Sequence, residues 1–282
     1  MKRYKIEKDG KLEVGMVLYT KHFKLTVDRD LCKGCELCML ACPREAISLI
    51  AREGATSLLD IDENKCDYHG ICAVACPFNA ITISMNDQAG IPAVEHGVFP
   101  KLTRDIEVRS EKCEPGCRDC EKACPLGMIC ISEDENGVSV DIKKENCASC
   151  PHCWAACPKD AIEVNKFIEG DIQIKPELCP PECRNCVDVC PVNALEVGED
   201  GKVFANDIYC IYCGACLPVC PADGALRVHR TAIRHSPVES GAWNKGLEKM
   251  TSATGLMREL SAKRNDRARE AVAKLVQPEE NE

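Results

Sequence analysis

Short segments in which apolar and polar residues alternate recur along the whole chain, and such alternation predicts half-buried strands. Six of these segments follow a Cys-Pro dipeptide and read AISLI, AITIS, ICIS, AIEV, ALEV and ALRV. Five precede a cysteine-rich run and read FKLTVD, SLLDID, VSVDI, IQIK and KVFAN. At the N-terminus, alternating segments flank the turn dipeptide Asp9-Gly10, so a small hairpin is expected there.

Six cysteine motifs lie between these segments, and we number them 1 to 6 along the chain. They occupy residues 32–43, 66–77, 113–125, 147–158, 179–191 and 210–221. Motifs 1, 4 and 6 match Cys-x2-Cys-x2-Cys-x3-Cys-Pro, motifs 3 and 5 carry one more residue before the second cysteine, and motif 2 has His69 in place of that cysteine. Because proline cannot continue a helix, each unit is expected to be a strand, a cysteine loop, a short helix and a second strand.

The motifs come in pairs. The first cysteines of motifs 1 and 2 lie 34 residues apart, as do those of motifs 3 and 4, and those of motifs 5 and 6 lie 31 apart. A stretch rich in glycine, proline and charge separates the first pair from the second. The expected division is an N-terminal hairpin at 1–22, a first module at 23–88, a connector at 89–108, further modules at 109–166 and 167–229, and a helical tail at 230–282.

Composition changes this picture, because the chain has few large side chains with which to fill a core. Aromatic residues make up 4% of the 282 residues, whereas cysteine occurs 24 times. Disulfides are disfavoured, since the charged N-terminus does not resemble a signal peptide and the expected cytoplasmic location keeps thiols reduced. Zinc ribbons usually combine two distant Cys-x-x-Cys pairs, whereas here four cysteines lie in one run. Thiolates at this spacing favour iron–sulfur clusters, whose iron prefers soft ligands.

Over about residues 23–229 each pair of motifs resembles the bacterial ferredoxins that hold two [4Fe-4S] clusters. The resemblance implies an α+β fold of three tandem two-cluster modules with a helical C-terminal tail, and six clusters. It also implies that the fourth cysteine of each motif binds the other cluster of its pair, in preference to four ligands from one motif. The implied sites are site 1 (Cys32, Cys35, Cys38, Cys76), site 2 (Cys42, Cys66, Cys72 and position 69), site 3 (Cys113, Cys117, Cys120, Cys157), site 4 (Cys124, Cys147, Cys150, Cys153), site 5 (Cys179, Cys183, Cys186, Cys220) and site 6 (Cys190, Cys210, Cys213, Cys216).

Site 2 departs from the pattern at His69. One interpretation is that an imidazole nitrogen of His69 binds iron, and this is favoured because His69 occupies the ligand position itself. The other is a [3Fe-4S] cluster held by cysteines alone, with His69 nearby in solvent. Outside the six sites, Cys130 is expected to be a buried packing thiol, and His152 a surface residue beside its cluster.

The chain beyond about residue 229 changes character. Ser236-Pro237-Val238-Glu239 is typical of a helix N-terminal capping box. One apolar helical face follows, made of Trp243, Leu247, Met250 and Thr254, and a weaker one is made of Leu256, Leu260, Ala268, Val272 and Leu275. Docking of this tail on another subunit is favoured over packing against its own modules.

Other functional signals are few. The sequence contains no phosphate-binding glycine loop and no convincing catalytic constellation outside the cysteine motifs. No apolar stretch is long enough to cross a bilayer, and a formal net charge of −9 disfavours nucleic acid and suits docking to protein electron carriers. The chain is therefore expected to carry electrons and to leave substrate chemistry to a partner.

The repeated motif pairs and the tryptophan-bearing tail resemble the archaeal polyferredoxins, in particular the polyferredoxin subunits of formylmethanofuran dehydrogenase in methanogens. That family carries four modules where this chain has three. The resemblance implies relay of low-potential electrons within such a complex, with connections to heterodisulfide reductase and to hydrogenase or formate dehydrogenase. A hydrogenase polyferredoxin, a free multi-cluster carrier and a protein with purely structural clusters remain alternatives.

Overall fold

The computed structural model describes residues 1–52, 55–90, 92–135, 137–238 and 241–251. Its strands are β1 (Lys2–Lys8), β2 (Lys11–Val17), β3 (His22–Asp28), β4 (Ile47–Arg52), β5 (Ala55–Ile61), β6 (Ile81–Met85), β7 (Gln88–Ala89), β8 (Asp105–Val108), β9 (Ile129–Asp134), β10 (Gly137–Ile142), β11 (Ile162–Asn165), β12 (Ile168–Ile174), β13 (Leu195–Val197), β14 (Val203–Ala205) and β15 (Leu226–Ile233). Its helices are α1 (Leu37–Ala41), α2 (Ile71–Val74), α3 (Pro92–Glu95), α4 (Asp119–Ala123), α5 (His152–Ala155), α6 (Asn185–Asp188) and α7 (Gly241–Thr251). Short 3₁₀ helices lie at Ser110–Lys112, Lys144–Asn146 and Pro176–Leu178. Within these ranges, no helix is both long enough and apolar enough to cross a bilayer.

One pairing pattern occurs three times. The strand before the first motif of a pair joins, antiparallel, the strand after the second motif, as in β3–β6, β8–β11 and β12–β15. The two strands between the motifs form a hairpin, as in β4–β5, β9–β10 and β13–β14. Each pair of motifs is thus held between an outer strand pair and an inner hairpin, which brings the motifs together.

The N-terminal hairpin extends the first of these outer pairs. Asp9 and Gly10 both have positive φ angles, 52° and 72°, as the tight turn between β1 and β2 requires. The hairpin then adds to β3 through β2, which gives a five-stranded sheet in the order β1-β2-β3-β6-β7. The segment 1–22 is therefore continuous with the sheet that carries motifs 1 and 2.

Two local features differ from the sequence expectations. Strand β8 lies at the end of the expected connector and pairs with β11, with Ile106 buried beneath it. The short helix expected in motif 6 is replaced by turns over residues 215–219. Pro218 lies inside that stretch and has no backbone N–H to donate, so the helical hydrogen bonds cannot form there.

The interior is divided among three apolar clusters. Under the five-stranded sheet, Leu12, Val14, Leu25 and Val27 pack on residues of β4 and β5 and on cysteines of motifs 1 and 2. A second cluster joins β8–β11 to the β9–β10 hairpin in the middle of the chain. The largest cluster crosses motif pairs: it contains residues of α1 and α2, of motif 6 and of α7. The chain therefore folds back so that its first and last motif pairs share a core.

Helix α7 packs on its own chain, so the expectation that this part of the tail docks on another subunit is wrong. Trp243 is fully buried, and its Nε1 donates a hydrogen bond to Nε2 of His235 at 3.1 Å. Gly246 lies against Ala41 of α1 and Ile71 of α2. The buried face of α7 consists of Trp243, Gly246 and Met250. Because Gly246 has no side chain, α7 can approach α1 and α2 this closely. Glu239, Thr254 and the second predicted stripe lie outside the described residues.

This close approach predicts the effect of enlarging Gly246. A Cβ atom at Gly246 would lie 3.1 Å from Cδ1 of Ile71, so Gly246→Val should overpack the contact and cost about 1–3 kcal/mol. Faster hydrogen exchange of the α7 amides would report the loss. Gly241→Val is the matched control, since nothing lies within 4 Å of a Cβ there. Equal protection of α7 in both variants would contradict the packing described.

Candidate iron–sulfur sites

The six motifs share one backbone feature. The residue immediately before the second ligand position has a positive φ angle in every motif; these residues are Gly34, Tyr68, Gly116, Ser149, Glu182 and Tyr212, with φ between 52° and 82°. At Gly34 a Cβ atom would lie 2.6 Å from the carbonyl oxygen of Ser57, so only glycine fits. Motif 2 therefore has the same loop as the others, and its loop places His69 at the second ligand position.

Three of the implied ligand sets each line one pocket. Cys42, Cys66, His69 and Cys72 of site 2 line a pocket beside β5. All four cysteines of site 3 line a second pocket, and all four of site 4 line a third. In each case one thiol, that of Cys42, Cys157 or Cys124, comes from the partner motif. The geometry brings together the sets that the exchange of fourth cysteines implies.

In sites 1, 5 and 6, a thiol of the partner motif lies close enough to raise the pKa of another thiol in the same site. Burial raises the pKa of Cys38 well above its ordinary value, that of Cys186 to about 11 and that of Cys213 to about 12. In each case the negative charge of a thiolate from the partner motif raises the pKa further. The thiols that contribute this charge are Cys76 in site 1, Cys220 in site 5 and Cys190 in site 6.

The donor chemistry fits an iron–sulfur cluster. In the described part of the chain, no three His, Cys, Asp or Glu side chains lie close enough together to hold a single metal ion. A cluster offers a separate iron atom to each thiol, so its ligands need not converge on one point. As in sites 1, 5 and 6, burial raises the pKa of at least one thiol in each of sites 2, 3 and 4, namely Cys72, Cys120 and Cys150. Without metal these thiols are protonated, whereas bound iron would hold them as thiolates, so binding of iron and loss of their protons would be coupled.

Backbone amides point at the sulfur atoms. The Sγ atoms of Cys76, Cys124, Cys157 and Cys190 each accept a hydrogen bond, at 3.2–3.3 Å, from the N–H group four residues later. Cys147 and Cys210 accept from the residue two positions later at 3.4 Å. Such donors stabilise negative charge on sulfur and raise the reduction potential of a bound cluster.

His69 is half-buried at the edge of the site 2 pocket. Burial lowers the pKa of its imidazole, so the ring is neutral near pH 7. Its Nδ1 accepts the Ile71 N–H at 3.1 Å, which leaves the proton of the neutral ring on Nε2. Nε2 is buried, lies 3.5 Å from Oδ1 of Asp67 and makes no hydrogen bond within the described structure. To bind iron, the ring would have to lose the proton from Nε2 or give up the hydrogen bond that Nδ1 accepts from Ile71.

Substitution of His69 separates the two interpretations of site 2. If the imidazole binds iron, His69→Cys should retain a four-iron cluster and lower its potential, because thiolate replaces imidazole. His69→Ala should then leave a three-iron centre, which electron paramagnetic resonance (EPR) of the oxidised protein detects. If cysteines alone hold the cluster, wild type and His69→Ala should give the same three-iron signal. His22, which contacts Tyr4 and lies outside the six motifs, offers His22→Ala as the control.

Two expectations for residues outside the sites are wrong. Cys130 is exposed, because it lies on β9 between the buried residues Ile129 and Ile131 and so points to the other face of the strand. His152 is partly buried, stacks on Tyr209 with ring centroids 3.8 Å apart, and its Nε2 donates to the carbonyl oxygen of Val192 at 2.7 Å. It joins motif 4 to the third pair of motifs.

Two further side chains near the sites were not foreseen from the sequence. Arg230 of β15 is buried and forms an ion pair with Glu36, which lies between two ligands of site 1, at 2.9 Å. Arg104 donates to the carbonyl oxygens of Pro77 and Cys147, at 2.9 and 2.8 Å. The only sequence signal was the acidic residue at position 36 inside a cysteine motif.

Two segments of the chain match a known family of iron–sulfur domains. The family described as 4Fe-4S dicluster domain matches residues 31–80 and again 177–224. A ferredoxin from Methanothermococcus thermolithotrophicus is 42% identical over 62 residues, which are 22% of this chain and 98% of that protein. The chain belongs to the dicluster ferredoxin family. As a ferredoxin-like protein it is an iron–sulfur electron carrier.

Two other proteins that this dicluster ferredoxin resembles belong to larger complexes. It is 38% identical over 61 residues to a component of the ion-translocating oxidoreductase complex from Methanosarcina acetivorans, and the match spans 22% of each chain. A chain of the formate dehydrogenase–heterodisulfide reductase–formylmethanofuran dehydrogenase complex from Methanospirillum hungatei superposes with a TM-score of 0.82. That match has 29% sequence identity and covers 89% of this chain and 91% of the other. The dicluster ferredoxin thus resembles a subunit of a methanogen oxidoreductase complex.

Proposed function

We propose that the chain holds six iron–sulfur clusters in three two-cluster modules and relays low-potential electrons within an oxidoreductase complex. The observation that carries this proposal is the set of pockets in which three ligand positions of one motif meet a fourth ligand from the partner motif. Five sites have four cysteines, and site 2 has three cysteines and His69. A cluster whose ligand positions are filled by protein exchanges electrons and does not bind substrate, so the chain supplies no catalytic residue of its own.

The partner complex that we propose is one containing formylmethanofuran dehydrogenase, with heterodisulfide reductase and formate dehydrogenase or hydrogenase as further electron donors or acceptors. The support is the match over nearly the whole length to a chain of the Methanospirillum hungatei complex. The aligned region covers 89% of this chain and 91% of that chain, which supports a subunit of similar size and fold. The cytoplasm is the proposed location, where a reducing environment keeps thiols available for iron.

Anaerobic purification of the tagged chain from its native host tests the assignment. We expect subunits of formylmethanofuran dehydrogenase to co-elute with the chain in a constant ratio that does not change after washing with salt. Co-elution with hydrogenase subunits alone would favour the hydrogenase assignment, and elution as a single polypeptide would identify a free carrier. An untagged strain processed in parallel controls for nonspecific retention.

A further inference from the structure

The order of the modules along the chain is not the order in which their sites meet in space. Within the described residues, three contacts connect sites that belong to different motif pairs, and each contact joins two of sites 1, 4 and 6. We call these three the inner sites and sites 2, 3 and 5 the outer sites. Each outer site shares its module with one inner site, because the two sites of a module exchange their fourth cysteine.

The first contact joins sites 1 and 6. Glu36 lies between Cys35 and Cys38 of site 1, and its Oε1 accepts from Nη2 of Arg230 at 2.9 Å. The same guanidinium donates to the carbonyl oxygens of Tyr212 and Cys213, at 2.6 and 3.1 Å.

The two ligand loops of this first contact also touch directly. A Cβ atom on Gly214 would lie 3.0 Å from Oε1 of Glu36. Cys35 of site 1 and Cys213 of site 6 are buried in the same apolar cluster. The loop of motif 1 and the loop of motif 6 are therefore held together by a buried ion pair.

The second contact joins sites 1 and 4. Arg104 donates to the carbonyl oxygen of Pro77, the residue after Cys76 of site 1, and to that of Cys147 of site 4. Nearby, Nδ2 of Asn79 donates to Oδ1 of Asn146 at 3.2 Å. One guanidinium therefore connects the backbone next to a site 1 ligand with the backbone of a site 4 ligand.

The third contact joins sites 4 and 6. His152, between Cys150 and Cys153, stacks on Tyr209, the residue before Cys210, with an interplanar angle of 13°. Lys166 lies in the same place, where its Nζ donates to the carbonyl oxygen of Asp207 and lies 5.0 Å from the centre of the Tyr212 ring. With this contact each inner site touches both of the others.

We infer that the six sites form a three-armed network in which the inner sites meet at a junction and each outer site ends one arm. The inference rests on the proposed function, since it orders clusters that the proposal places at these sites. It predicts that the first and third modules exchange electrons directly, without passing through the second. An electron that enters one arm can leave by either of the other two.

The arms differ in their access to the surface. The thiols of Cys113 and Cys117 in site 3 and of Cys179 and Cys183 in site 5 are partly exposed. The three cysteines of site 2 are buried, and the N-terminal hairpin covers them, with Nη1 of Arg3 donating to the carbonyl oxygen of Cys66 at 2.8 Å. Two arms are therefore open to partners, and the third is capped.

Photoreduction of the iron-loaded full chain tests the network. The substitution Cys130→Ser removes the exposed cysteine that lies outside the six sites. The substitution Ser48→Cys then introduces a new cysteine at the equivalent exposed position on β4, and a ruthenium photoreductant is attached to its thiol. Rapid-freeze EPR then follows reduction of the third module, whose signals are identified by their loss in Cys186→Ala and Cys216→Ala. The decisive variant, Cys150→Ala with Cys153→Ala, removes site 4.

Without site 4, the third module should still be reduced at the rate of the parent protein. Loss of that reduction would overturn the network and show that modules conduct in chain order. In the same background Arg230→Leu should slow the transfer, and the matched control Arg234→Leu, which removes an exposed ion pair with Glu169, should not. Equal rates in these two variants would also overturn it. A parent protein that contains no iron, or that is not photoreduced, would instead contradict the proposed function, so the two failures are distinguishable.

Discussion

Replacing Cys124 and Cys153 together with alanine should cost the chain one cluster, whereas replacing Cys124 and Cys120 together should cost two. The reason is that Cys124 and Cys153 line one pocket, and Cys120 lines another with Cys157. Iron content should therefore fall by about four atoms per chain in the first variant and by about eight in the second, at four irons per cluster. Anaerobic iron and sulfide analysis measures both.

The opposite result would mean that each motif holds its own cluster. In that arrangement Cys124 and Cys120 would share a site, and their joint loss would remove one cluster only. Cys130→Ala provides the control, because Cys130 is exposed on β9 and belongs to no pocket set. An exchanged cysteine would tie the two halves of a module through metal, so loss of either cluster should also loosen the β8–β11 pair.

Arg230→Leu should destabilise the protein by about 3–5 kcal/mol, because it leaves the buried carboxylate of Glu36 without a partner. The side chains of Arg230 and Glu36 are 2% and 10% exposed, so water cannot replace the lost interaction. The carbonyl oxygens of Tyr212 and Cys213 would lose their donor as well. A lower urea concentration at which the cluster absorbance disappears, measured without oxygen, is the expected observation.

The nearby pair of Arg234 and Glu169 gives a matched comparison. Its side chains are 51% and 46% exposed, so Arg234→Leu should change stability by about 0–1 kcal/mol. The double variant Glu36→Leu with Arg230→Leu should recover part of the loss, since it removes the unpaired charge. Equal urea midpoints for Arg230→Leu and Arg234→Leu would show that the buried pair does not hold the first and third motif pairs together.

Local spacing explains why so much of each unit was predictable. Each motif fixes three or four thiols within a few residues of one another, and the alternation on either side of it defines the strands that the structure contains. The Asp9-Gly10 turn and the Trp243 helix were likewise visible because their signals are confined to a few adjacent positions. Such features need no knowledge of the rest of the chain.

Long-range contacts were not predictable in this way. Glu36 and Arg230 are separated by 194 positions, and neither lies in a pattern that names the other. The packing of α7 on α1 depends on Gly246, whose missing side chain gives no hydrophobic signal. Cys130 was assigned to the interior from its residue type, although the alternation of β9 places it on the outer face. Strand β8, four residues long, was too short to stand out within the connector.

The presence of six electron-carrying clusters is best tested by counting iron and acid-labile sulfide in anaerobically prepared protein and then titrating it with a reductant. We expect about 24 iron atoms per chain if every site holds four, and visible absorbance that bleaches reversibly with a strong reductant. Zinc in place of iron, or absorbance that no reductant bleaches, would contradict the assignment of these sites to iron–sulfur clusters.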